Sequence, residues 1–90
     1  LPPYVGRGNA IAMPRFYFDV RDGEQFFPDS VGLELSGIDE AREHAAVALA
    51  DMAKDVLPNG TKHEMAIEVR DESKEPLLQT TLNFEVKRLR

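Results

Sequence analysis

From Arg15 onward the chain alternates. Phe16, Phe18 and Val20 interleave with Arg15, Tyr17, Asp19 and Arg21, the period of a strand buried on one face. Asp22-Gly23 follows at once, and an Asp-Gly pair supplies the positive φ angles of a two-residue hairpin turn. Phe26 and Phe27 open the return strand, which Pro28 confines to an edge. Alternation resumes at Val31, Leu33 and Leu35 beyond Asp29-Ser30, so the return strand is expected to kink or bulge there. The period then lengthens. Ile38, Ala41, Ala45, Leu49, Met52 and Val56 step by three and four and share one stripe of a helix.

That helix is expected over about residues 37–57, with Ser36 as N-cap, Asp39 as capping-box partner, and Pro58 and Asn59-Gly60 beyond its end. Ala46, Ala48, Ala50 and Ala53 keep its flanks thin, which lets it lie close on a sheet. The second half repeats the first. Met65, Ile67 and Val69 alternate with Glu64, Ala66, Glu68 and Arg70; after the turn DESKE, Leu78, Thr80, Leu82, Phe84 and Val86 alternate with Leu77, Gln79, Thr81, Asn83 and Glu85. Val20-Arg21-Asp22 is echoed by Val69-Arg70-Asp71.

The layout is hairpin, helix, hairpin: an α+β fold of two layers, ββαββ. Its third strand runs antiparallel to its first, and antiparallel pairs are the commoner kind. The expected sheet is therefore four-stranded and antiparallel in the order 2-1-3-4, with the helix packed on one face. The other order would set strand three beside strand two through a right-handed crossover. Residues 13–90 make a single small domain. Residues 1–12, LPPYVGRGNAIA, are dominated by chain breakers and read as an N-terminal extension, flexible or docked on a partner, with Met13 as a natural start.

Composition narrows the field. At 42% apolar and 30% charged residues the chain is too apolar for intrinsic disorder. A domain of this size buries only about 60% of its unfolded surface, so a partner would help it. With no cysteine, disulfides, thiolate zinc sites and redox thiols are excluded, which fits a cytoplasmic location. A net charge of −5 argues against nonspecific nucleic-acid binding, and no apolar run reaches the roughly 18 residues of a membrane span.

Candidate chemistry is sparse. Asp19, Asp22 and Glu24 surround Gly23, but the spacing is wrong for a calcium loop, and the echo at Asp71 replaces the glycine with Glu72. A turn tolerates that change; a ligand cluster would not. His44 sits one helical turn after Glu40 and next to Glu43. These three are the candidate metal ligands, yet the HExxH spacing is missing and a solvated Glu–His pair is the simpler reading. His63, beside a turn, is expected to be exposed. Nucleophile-elbow, P-loop and dinucleotide motifs are absent. Tyr17, Phe26, Phe27 and Leu77 are the candidate interaction residues. Exposed sheet aromatics can stack on RNA bases, but Asp19, Glu68 and Glu85 share that outer face and would repel a phosphate backbone.

The ordered set Met13 to Gly23, Pro28-Asp29, Gly32 to Leu35, the helix from Ile38, and Ile67 to Glu72 resembles a family of short bacterial proteins known only as a domain of unknown function. Its members open with Met-Pro-Arg and two or three aromatics, and the resemblance covers about residues 13–86. It implies the ββαββ layout and no activity. A looser similarity, carried by the strand pair and Asp39-Glu40-Ala41, is to the antitoxins of HicAB toxin–antitoxin systems. The chain departs from them in lacking their Pro-Gly-Cys-type segment and any DNA-binding extension. The resulting expectation leans away from an enzyme: a protein-interaction or regulatory module without cofactor, homodimeric or bound to another protein. The alternatives are an antitoxin-like partner of a small toxin and a small-ligand binder or enzyme with its site near the helix.

Overall fold

A computed structural model of the 90-residue chain describes residues 13–90; the expected extension, residues 1–12, lies outside the described residues. The elements in chain order are β1 (Arg15–Asp22), β2 (Gln25–Phe27), β3 (Leu33–Glu34), α1 (Ile38–Val56), β4 (Lys62–Arg70) and β5 (Pro76–Glu85). The sheet runs β2-β1-β4-β5, all pairs antiparallel, and β3 also pairs with β1.

The α+β class and the antiparallel sheet stand; the strand count does not. Five strands replace the expected four because the return strand breaks in two around Pro28-Asp29. β2 pairs with the end of β1 (Val20↔Phe27) and β3 with its start (Phe16↔Leu33). Between them Gly32 takes φ 76, and a Cβ there would come within 2.9 Å of the Arg15 and Tyr17 side chains. Only a glycine fits so close a return. The first hairpin turn also sits one residue later than the Asp-Gly rule suggests. Asp22 pairs with Gln25, so Gly23 and Glu24 are its central residues, and only Gly23 has positive φ (63). That is the glycine-first pattern of a II′ turn.

The core lies between α1 and the inner face of the sheet. Phe16, Met65, Ile67 and Val69 meet Ala41, Ala45 and Leu49, with Phe18, Val20, Met52, Val56, Leu78 and Leu82 packed around them. Ala41 and Ala45 are fully buried, so the helix backbone rides directly on the strands. Burying Met65, Ile67 and Val69 contributes about 1.5–3 kcal/mol each. The helix lies mainly over β4 and β5, and the inner face of β1 is only partly covered. Phe18 there is half-buried, with the His44 ring against it at 4.8 Å between centroids.

Five local expectations are corrected. Gly37, not Ser36, is the N-cap, and its carbonyl accepts the first helical bond from Ala41. Ser36 instead donates its backbone N–H and its hydroxyl to Glu40, so Glu40 rather than Asp39 is the acidic residue that reaches back. Ile38 and Val86 are exposed, Ile38 because it precedes the point where the helix meets the sheet and Val86 because β5 ends at Glu85. Ala66 is buried although it faces outward: its single methyl lies at the floor of a hollow between longer side chains.

Candidate interaction surface

Asp19, Glu68 and Glu85 were expected to give the outer face a charge that repels phosphate, and Asp19 shows why its charge is not free. Its carboxylate is buried (8% of the side chain exposed), which requires a partner. The guanidinium of Arg70 supplies it, with Nε 2.8 Å and Nη2 3.4 Å from the two oxygens. Arg70 also donates to the Asp29 carbonyl at 2.8 Å and stacks over the Tyr17 ring at 4.5 Å. Asp29 completes the lock. Its backbone N–H donates to Asp19, while its carboxylate accepts the backbone N–H groups of Phe18, Val31 and Gly32 at 2.9–3.1 Å. The loop between β2 and β3 is thus buckled onto the outer face.

Burial pushes the Asp29 carboxyl up, but its three backbone N–H bonds and the charge of Arg70 outweigh that and hold its pKa below the usual value. The sign follows. The unfolded chain takes up this proton first, so the stabilisation is fully present above the ordinary aspartate pKa of about 3.9 and is lost as pH falls through the lower folded value. Asp29→Asn should therefore melt below the parent near neutrality, and the gap should narrow as pH drops from about 5 to 3; thermal melts across that range check it. Arg70 is shifted upward, chiefly by its bond to Asp19, and stays charged throughout.

The acidic residues around Gly23 do not converge. Asp19 joins Arg70, whereas Asp22 turns to the inner face and bonds Nε2 of His63. His63 is accordingly not the exposed residue expected: 13% of its side chain is accessible, since it shares the inner row with Met65 and is reached diagonally by Asp22, which lies across from Met65. The echo residue Asp71 has a third role. It accepts the backbone N–H and hydroxyl of Ser73, which holds the second turn and lets Lys74 adopt φ 75. One sequence pattern thus yields three local solutions.

Near the helix start, Glu40 bonds Ser36, which pulls its pKa down, and His44 leans on Phe18. Among the described residues no three His, Asp or Glu side chains are grouped to hold a metal ion. Tyr17 lies beneath Arg70, and Phe26 beneath Arg21 at 4.5 Å. Phe27, beside Val20, faces the helix side yet is 51% exposed. Leu77, also exposed, occupies a bulge where Arg70 pairs with Pro76. These four do not form one patch.

Glu68 is paired too, with Arg21 at 3.3 Å, and accepts a hydrogen bond from the Gln79 amide at 3.0 Å. Over Ala66 a shallow hollow of about 210 Å³ is lined by Arg21, Glu64, Gln79, Thr81 and Asn83. A more open one of about 390 Å³ lies by Gly23, Glu24, Lys62, His63 and Glu64.

The two sheet margins differ sharply. One is short and broken, made of β2 and β3 with the buckle between them. The other is β5, ten residues with no described strand on its outer side. Residues 76–84, PLLQTTLNF, carry no charge in a chain that is 30% charged. Sequence reading gave β5 no special weight. The signal that could have found it was that uncharged run, together with the absence of the lysines and inserted prolines that blunt exposed edges.

Residues 15–83 match a family model described as a domain of unknown function, DUF6894. The chain belongs to the DUF6894 family. The matched span of this DUF6894 domain contains the whole helix, the buckle residues Asp19, Asp29 and Arg70, and nearly all of β5. Neither a curated protein nor a solved structure matches the chain. No helix among the described residues is long and apolar enough to cross a membrane.

Proposed function

We propose that this DUF6894 domain is a non-enzymatic protein-interaction module that binds by strand addition along β5. The observation that carries this reading is the contrast between the two margins: one broken and locked, the other long and uncharged. An open margin of that kind offers backbone N–H and C=O groups to an extended partner, as in β-augmentation. The outer face, where Asp19 and Glu68 are paired with arginines, would receive side chains of the added strand in its hollow over Ala66 beside Gln79, Thr81 and Asn83. Such a module needs neither cofactor nor metal, and a cytoplasmic setting suits its lack of cysteine.

Thr81→Pro tests the reading. Proline removes one edge donor and is tolerated on an edge strand whose N–H faces solvent. A partner bound by the parent chain should be lost on Thr81→Pro with the circular dichroism unchanged. A partner held equally by both would overturn it. A small toxin as the edge-bound partner would specify the module as antitoxin-like. A ligand whose binding survives Thr81→Pro and is lost on His44→Ala would replace it with a site beside Glu40 and Glu43.

A further inference from the structure

We infer that the strand added to β5 is β5 of a second copy of this chain, antiparallel, about a twofold axis through Thr81. This rests on the edge-binding reading above and names its partner. The direction of the backbone groups comes first. Val86 donates to the Thr61 carbonyl at 2.7 Å, and Gly23 donates to the Glu64 carbonyl at 2.9 Å. In an antiparallel ladder bonded and non-bonded pairs alternate. With the printed register, His63, Met65, Ile67 and Val69 therefore bond toward β5, and Phe84, Leu82, Thr80 and Leu78 bond back. The backbone groups of Gln79, Thr81, Asn83 and Glu85 are left pointing outward.

The side chains select the partner. About Thr81 the strand reads as a near-palindrome: Leu78 mirrors Phe84, Gln79 mirrors Asn83, and Thr80 mirrors Leu82. In a twofold pair Gln79 would face Asn83 of the other copy, two amides able to bond, and Thr81 would face Thr81. On the inner side Leu78 would face Phe84, both only half-buried in a single chain, so the apolar row would continue into the partner. The three central pairs alone would form about six backbone bonds.

Other registers fit worse. A one-residue slip turns the inner row outward. Sliding by two in one direction sets Glu85 against Glu75, and in the other sets Leu77 against Lys87, past the strand end. In the Thr81 register Glu85 faces Leu77, and the two Glu85 residues stand about 27 Å apart, beyond the screening length at physiological salt.

The absence of native cysteine gives a direct test on the full chain. Residues opposite each other in a bonded pair have Cα atoms about 5.5 Å apart, within disulfide range. Thr81→Cys should oxidise to a covalent dimer. Gln79→Cys and Asn83→Cys should cross-link when mixed and neither alone. Light scattering should give twice the 10.1 kDa chain mass for the parent, and Thr81→Lys, which sets two ammonium groups face to face, should weaken dimerisation at least tenfold with the circular dichroism unchanged. A dimer that cross-links at other positions but not at Thr81 overturns the proposal. A monomer whose outward β5 amides exchange slowly on adding another protein overturns self-pairing and leaves edge binding intact. A monomer with fast-exchanging edge amides and no partner overturns both.

Discussion

Arg70→Ala should lower the unfolding free energy of the DUF6894 domain by about 3 kcal/mol, read as a shift in urea midpoint at constant slope. The cause is what stays behind. Asp19 is left without its cation in a site only 8% exposed, and its remaining hydrogen bond is the N–H of Asp29. Breaking a buried pair typically costs 3–5 kcal/mol; Arg70 is itself 21% exposed, so water entering its place holds the loss to the lower end. The Asp29 carbonyl and the Tyr17 ring lose their partner in the same step. Removing the other member, Asp19→Asn, should cost less, because Arg70 can turn toward water. Against a total of about 4–12 kcal/mol for a domain this size, the first loss is large.

A comparable loss, about 3–4 kcal/mol, is expected for Ile67→Ala by the same measurement. Ile67 is 1% exposed on β4, the strand bonded on both sides, with Val20 and Thr80 as its cross-strand neighbours. The cost of such a cavity depends on how far the surroundings collapse into it. Here they have little to offer. The facing helix presents Ala41 and Ala45 beside Leu49; the two alanines have no rotamers to swing inward, and the helix backbone already rests on the sheet. Leu82→Ala on half-buried β5 should cost clearly less, because that side chain is open to solvent on one flank.

The parts of this fold that were legible are those set by local periodicity. The stripe from Ala41 to Val56 became the buried face of α1, and the inner rows of β4 and β5 fall where the alternation puts them. Asp19 was not legible. Alternation sends it outward, as found, but its burial comes from a loop ten residues downstream folding back and from Arg70, 51 positions away, arriving diagonally across a register that no local pattern specifies. His63 was misjudged for the same reason, since its partner Asp22 is brought diagonally within reach by strand pairing and not by spacing. The N-cap turned on a competition between neighbours: Glu40, one turn along, was better placed than Asp39 to take the Ser36 N–H. As for the candidate surface, its aromatics were findable as exposed residues, and the expected order 2-1-3-4 already set β5 at the rim; what went unread was its uncharged run beside a first rim that is broken.

The division of the return strand into two short pieces has a consequence for stoichiometry. A ribbon with two usable rims could recruit copies endlessly and grow into a fibril. Here one rim is interrupted by its own folded-back loop, so in the proposed self-pairing growth would have a single direction and stop after one addition. The product would be a closed dimer, and mending the broken rim is the change that would turn it into a polymer.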